Sequence, residues 1–199
     1  MAENKGPAGE ASIARLSRRE VYRNKWMRLY EDQIERIDPA TGARVPGIYA
    51  VVEKEPAAII IPLERDDDGA EFVYLIEQYR YTVGARFFEF PQGAWEVDDA
   101  DPEVLARGEL AEETGLRAGR MTKLGSQWIA YGAMRQIHHV FLAEELTAGE
   151  MDRDAEEHDL TMHRVSVAEF EQMMLDGRVM DNCTFAAWGL YLVWKRARG

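Results

Sequence analysis

Cysteine is nearly missing from this chain: Cys183 is the single one. That excludes an internal disulfide and any multi-cysteine metal centre, and it suits a reduced, cytoplasmic setting. Nothing in "DGRVMDNCTF" pairs Cys183 with a local base, so a reactive thiolate is not expected there. Long apolar runs are missing too, and no segment approaches the roughly 20 residues of a membrane span. Residues 1–18, "MAENKGPAGEASIARLSR", carry no apolar stretch of signal-peptide length and read as a flexible lead-in. Positive charge is in deficit, 24 Lys and Arg against 36 Asp and Glu, for a net −12. Such a chain repels nucleic-acid backbones and anionic lipid surfaces, so neither nucleic acid nor membrane is an expected partner. Small anions are repelled as well, unless arginines or metal ions reverse the sign locally.

Apolar residues are not scarce. They make up 46% of the 199 residues, enough for one domain and a small appendage. From Glu20 to Lys54, two extended segments flank "DPATG", whose Asp-Pro opening and closing glycine are turn chemistry. A small antiparallel sheet over residues 19–55 follows, and it needs another surface to lie on because a two-stranded ribbon is not stable alone. The remainder, 56–199, reads as the main domain. "AAIIIPL" has the continuous apolar pattern of a central strand buried on both faces. "EFVYLIEQYRY", "RFFEFPQG", "SQWIAY", "IHHVFLAEEL" and "LTMHRVSV" are strand-like. "SVAEFEQMMLDG" has a serine cap, helical spacing and a stop glycine, and "DNCTFAAWGLYLVWKRA" starts acidic and ends basic, as the helix dipole favours. The class is mixed α/β (α+β), a sandwich around a mixed sheet.

The most unusual stretch is "GELAEETGL", Gly108 to Leu116. Its helix opens at Asp101 as cap with Pro102 in the first turn, and Gly115 supplies a left-handed stop. Spacings of three and four place Glu109, Glu112 and Glu113 in one sector, with Val104 and Ala111 expected on a core-facing side. From the helix alone, two readings stand: a solvated acidic face, or a cation site. Against the first, like charges at these offsets repel, no Lys or Arg interleaves them, and anions are disfavoured near a helix C-terminus. A hard divalent cation would relieve both strains.

Upstream lies "FEFPQGAWE", and with it the segment from Gly93 to Leu116 resembles the signature of the Nudix hydrolase superfamily. "ELAEETGL" meets the second half of that signature without a gap. "EQYR…EFPQG", the early Trp-bearing sheet and "GRVMDNCTFAAWGL" resemble its ADP-ribose pyrophosphatase and nucleoside-diphosphate-sugar hydrolase branch. The resemblance spans roughly Val21 to Trp194 and implies an α/β/α sandwich. Two positions depart from the pattern. Gly108 stands where the family has arginine, with Arg107 about 100° away around the helix. The loop glutamate falls at Ala100, beside Asp98 and Asp99. Losing both together avoids stranding one buried charge.

The resemblance further implies a pyrophosphohydrolase using Mg²⁺ (or Mn²⁺) held by Glu109, Glu112, Glu113 and the Gln92 main-chain carbonyl, with Glu113 counted among the catalytic groups. The general base is expected in "EMDRDAEEHDL", at Glu156 with Glu157 its rival. Arg80 is the expected phosphate contact and Arg86 a second; Glu89 joins them as a substrate contact. For Arg80, structural pairing with Glu77 or Glu89 is the competing reading. Trp26 or Tyr30 is placed for stacking on a base. His138 and His139, adjacent on a strand, point to opposite faces and make no metal pair. The small N-terminal sheet implies a homodimer.

ADP-ribose leads as substrate, ahead of GDP-mannose or another nucleotide sugar. Tyr131 in "AYGA" replaces the proline common in that branch and points instead to dinucleoside-polyphosphate hydrolases. A non-catalytic nucleotide-sensing domain is the reading from a different class, although no DNA-binding segment accompanies it here.

Overall fold

The computed structural model describes residues 12–94, 101–149 and 159–198. In chain order the strands are β1 (Ile13–Arg23), β2 (Arg28–Ile37), β3 (Arg44–Glu53), β4 (Ala57–Arg65), β5 (Glu71–Arg80), β6 (Ala85–Glu89) and β7 (Gln92–Gly93). Helix α1 (Pro102–Thr114) follows, then β8 (Leu116–Trp128), β9 (Met134–Arg135), β10 (Ile137–Ala148) and β11 (Thr161–Ser166). Helices α2 (Val167–Leu175) and α3 (Asn182–Arg196) close the chain. These elements fall into two compact units.

The smaller unit contains the described residues up to Lys54 together with Ala130–Arg135. Its sheet runs β1-β2-β3-β9 among the described residues. The expected β2–β3 hairpin is present: the Asp38 carboxylate accepts from the amides of Ala40 and Thr41, and Gly42 takes φ 68°. Two features differ from the sequence reading. The lead-in expected to run to residue 18 gives way to β1 at Ile13, which pairs antiparallel with β2. Arg18 on this strand makes a two-pronged bond to Asp32, at 2.7 and 2.8 Å, and that bond pulls the Asp32 pKa below its ordinary value despite burial. The unit also recruits β9, whose residues lie 82 positions beyond their β3 partners, parallel to β3, a pairing with no local sequence signal.

The larger unit holds a sheet in the order β11-β5-β4-β10-β8, with β6 on β5 and β7 on β4. Strand β4 explains its own apolar run. Ile59, Ile61 and Leu63 pack with Phe90, Phe170, Trp188 and Tyr191 in one core. Ala58 and Ile60, on the other face, pack with Leu105, Ala106 and Leu110 of α1. Helices thus cover both faces. Each fully buried isoleucine contributes about 1.5–3 kcal/mol, so Ile59, Ile60 and Ile61 do not tolerate a polar side chain.

The helix starts follow the sequence. Asp101, Ser166 and Asp181 accept from first-turn amides of α1, α2 and α3, and Gly115 ends α1 at φ 71°. The inward face of α1 does not follow it. Val104 is 52% exposed, and Leu105, Ala106 and Leu110 form the buried apolar side instead.

Candidate active site

At 100° per residue, Leu105, Glu109, Glu113, Ala106 and Leu110 span one sector of about 140°. Val104 and Ala111 sit opposite. The sector that enters the core therefore carries two of the three carboxylates with it. Glu109 is 6% and Glu113 3% exposed, while Glu112 at the sector's edge is half-buried. A solvated acidic face does not describe Glu109 and Glu113.

Strand β7 is what they meet. It pairs antiparallel with β4, setting Gly93 beside Ala58 and Gln92 beside Ile59. The main-chain N–H of Gln92 donates to Glu113 Oε2 at 2.9 Å. Gly93 lies against the Glu109 carboxylate so closely that a Cβ there would overlap it. The absent side chain of Gly93 is what lets the carboxylate sit there. Arg107, beside the departed arginine position, is engaged elsewhere, on Glu103 at 2.9 Å and on the Ala118 carbonyl at 2.8 Å.

The donor chemistry of this corner fits a hard cation: carboxylates in one helical sector, a tight loop carrying main-chain oxygens, and a glycine that leaves room. It is not a finished chelate. Among the described residues no three His, Cys, Asp or Glu side chains are gathered closely enough to hold an ion. The Gln92 amide holds Glu113 Oε2 against β7.

Next to this corner stands an arginine–carboxylate pair. Arg80, the last residue of β5, approaches Glu89 of β6 with Nη2 2.7 Å from Oε1 and donates from Nε to Oε2 at 3.3 Å. The Oε1 contact is an ion pair without an aligned hydrogen bond. Burial pushes the Glu89 pKa up, against the pull of Arg80. Burial would lower Arg80, but the Glu89 carboxylate outweighs it, aided by Glu113 and Asp181, and the guanidinium stays firmly charged. Glu89, expected as a substrate contact, is only 2% exposed; its role in this structure is to hold Arg80, whose side chain is 41% exposed.

Gln92 completes the arrangement with its side chain. Its Nε2 donates to Glu89 Oε2 at 3.1 Å and to Asp181 Oδ2 at 3.0 Å. The same Asp181 oxygen caps α3, accepting from the Thr184 amide and hydroxyl, both at 2.8 Å. Thr184 Oγ1 in turn accepts from the Phe90 amide at 2.9 Å. Sequence reading took Asp181 only as the acidic start of a helix; its spacing of 89 residues from Gln92 gave no signal of the bond. Cys183 lies beside this cap, and burial together with the Asp181 charge pushes its thiol up to about 12.

The other expected residues are dispersed. Arg86 donates to both Asp159 oxygens at 2.6 Å, to the Asp159 carbonyl at 2.8 Å and to Glu77 at 3.2 Å. Its guanidinium is taken up in tying the start of β11 to β5 and β6. Trp26 and Tyr131 both belong to the smaller unit. They are 47% and 82% exposed, and Lys25 Nζ lies 3.8 Å from the Trp26 ring centroid. His138 is buried, and His139 on the opposite face shares a 2.8 Å hydrogen bond with Ser126. Glu156 and Glu157, like Asp98, Asp99 and Ala100, lie outside the described residues.

Comparison with known proteins bears on this corner. The NUDIX domain model matches residues 53–183, and the model for the nucleoside diphosphate sugar hydrolase N-terminal domain matches residues 13–38. An ADP-ribose pyrophosphatase of Mycobacterium tuberculosis is 33% identical over 72% of this chain and 70% of its own length. A GDP-mannose pyrophosphatase of Yersinia enterocolitica is 28% identical over 84% of this chain and 88% of its own. The crystal structure of an ADP compounds hydrolase superposes with a TM-score of 0.74 at 18% identity, covering 97% of this chain and 99% of that one, a likeness of fold.

Proposed function

Because this chain belongs to the NUDIX domain family, as a Nudix hydrolase, we propose that it cleaves the pyrophosphate bond of a nucleoside diphosphate joined to a sugar. ADP-ribose is the leading substrate, and the products are a nucleoside monophosphate and a sugar phosphate. The observation that carries this reading is the inward turn of Glu109 and Glu113 onto the Gln92–Gly93 strand. Carboxylates turned inward beside a main-chain strand offer a hard divalent cation the oxygen donors it prefers.

Glu109, Glu112, Glu113 and the Gln92 carbonyl would hold Mg²⁺ or Mn²⁺. When bound, such an ion supplies charge neutralisation on the diphosphate and a lowered pKa for the attacking water. Arg80 takes the phosphate oxygens: its five N–H donors exceed what Glu89 can accept, and its side chain is partly open to solvent. Glu89 keeps that guanidinium in place. Arg86 is committed to Asp159 and Glu77, so the phosphate role falls to Arg80. Proton removal from water is assigned to Glu156, with Glu157 as rival, in the segment outside the described residues. The smaller unit exposes Ile13, Leu16, Val21, Tyr22, Val45 and Ile48, an apolar surface suited to cover by a second copy in a homodimer.

GDP-mannose is the second reading for the substrate, favoured by the Yersinia relative. The test is a panel of ADP-ribose, GDP-mannose and a dinucleoside tetraphosphate, each with Mg²⁺ and with chelator. Metal-dependent release of AMP from ADP-ribose is the expected result. Preferential cleavage of GDP-mannose or of the tetraphosphate moves the substrate assignment, and binding without turnover moves the protein to the nucleotide-sensing class.

A further inference from the structure

We propose that the side-chain amide of Gln92 is a positioning residue for substrate, acting through Glu89 on Arg80. The inference rests on the functional reading above and deepens it, because only the Gln92 main chain had been given a role at the metal corner.

The geometry separates two functions within one residue. The backbone of Gln92 belongs to β7 and serves the carboxylate helix: its N–H holds Glu113. The side chain turns to the other partners. Its amide has two hydrogens, and Nε2 meets two acceptors, Glu89 Oε2 at 3.1 Å and Asp181 Oδ2 at 3.0 Å. Asp181 is a rigid acceptor because it is already fixed by Thr184, whose hydroxyl is fixed by the Phe90 amide. Glu89 is not rigid by itself. Both of its oxygens face Arg80, through the Oε1 contact and the Nε bond to Oε2, so the Gln92 bond to Oε2 is what ties the carboxylate to the capped end of α3. Arg80, at the end of β5, takes its orientation from that carboxylate. A chain runs from the capped end of α3 through Asp181, Gln92 and Glu89 to Arg80.

A glutamine suits this place for a chemical reason. The two acceptors are both carboxylates, and a neutral group that donates to each separates like charges without adding a third. A glutamate would add one, and an apolar side chain would leave both oxygens short of a donor.

The test replaces Gln92 with methionine (Gln92→Met), which keeps the side-chain length and removes both donors. The readouts are KM and kcat for ADP-ribose, calorimetric Kd for ADP-ribose, and binding of Mn²⁺ alone to the substrate-free protein. The expected result is a KM and Kd raised roughly tenfold, the scale for a lost hydrogen bond to a charged group. Mn²⁺ affinity and kcat stay within about twofold, because the main-chain bond to Glu113 survives. In an Arg80→Ala background the same substitution adds less than about twofold, since the group it acts through is gone. A fall in kcat and Mn²⁺ affinity at unchanged KM overturns the proposal and places the side chain's effect on Glu113. Equal effects with and without Arg80 overturn it too, as a merely structural role would give them. Should Gln92→Met not fold, Gln92→Glu is measured for the same split. If the wild-type protein binds ADP-ribose without hydrolysing it, the functional reading fails while the Kd comparison still decides this inference.

Discussion

Gly93 and Glu109 come from different elements and meet with no room between them: a Cβ on Gly93 would overlap the Glu109 carboxylate. The obstacle is the far end of a flexible side chain, so Gly93→Ala should move the carboxylate rather than the backbone. The expected stability loss is about 1 kcal/mol, at the low end for overpacking. Metal affinity should fall by roughly 10–100-fold, the range for disturbing a ligand's support. Thermal melting beside Mn²⁺ titration checks both, and an unchanged Mn²⁺ affinity would detach Glu109 from the metal corner.

Metal and fold should be linked through Glu113. An ion bound only by the folded state stabilises it, by about 2.7 kcal/mol at a hundred times its Kd. The wild-type protein should therefore melt higher in Mg²⁺ than in chelator. Glu113→Gln keeps the shape and removes a buried charge, so it should fold as well as wild type in chelator and gain little from Mg²⁺. Its turnover should drop roughly a hundredfold or more, the scale for losing one charge-stabilising group.

Removing Arg80 leaves Glu89 buried without its cation. Breaking a fully buried pair costs ~3–5 kcal/mol, and the partial exposure of Arg80 reduces this to roughly 1–2 kcal/mol for Arg80→Ala. The pH dependence has a definite sign. Burial holds the Glu89 pKa above its ordinary value, so the folded state binds that proton more tightly than the unfolded chain. Stability from this residue is full below the ordinary glutamate pKa and is lost as pH rises through the raised one. The Arg80→Ala deficit should grow along that rise, and Glu89→Gln in the same background should remove it. Denaturant melts across pH give the comparison.

Cys183 should be inert in the native protein. Its thiol, pushed up to about 12 by burial and by Asp181, holds almost no thiolate at pH 8. Modification by a disulfide reagent should be slow under native conditions and fast in denaturant, and Cys183→Ala should retain hydrolysis within about twofold. Fast native labelling would show that the α3 cap opens readily.

Much of this fold is legible in single segments because the interactions that specify them are local. Asp101 and Gly115 mark the ends of α1 through bonds to residues two to four positions away. The apolar run of β4 announces a strand covered on both faces. Strand β1 was harder to read: ten of its eleven residues are exposed, so no clear alternation marks it, and its evidence is the pairing with β2. Residues 130–135 join the smaller unit through pairing with β3 and through the Tyr49 and Glu53 side chains, which bond Gly132 and Arg135. Arg80 and Arg86 look equivalent along the chain. Their difference lies in partners, Glu89 for one and Asp159, 73 residues away, for the other.

The sequence by itself determined a helix from Pro102 to Thr114 with three acidic side chains in one sector. Helical periodicity and caps are properties of neighbouring residues, and they need no other part of the chain. Which sector turns inward was decided only by the tertiary structure. Leu105, Ala106 and Leu110 had to leave water for the β4 face, and Glu109 and Glu113, lying between them on the helix, were carried in against Gly93 and Gln92.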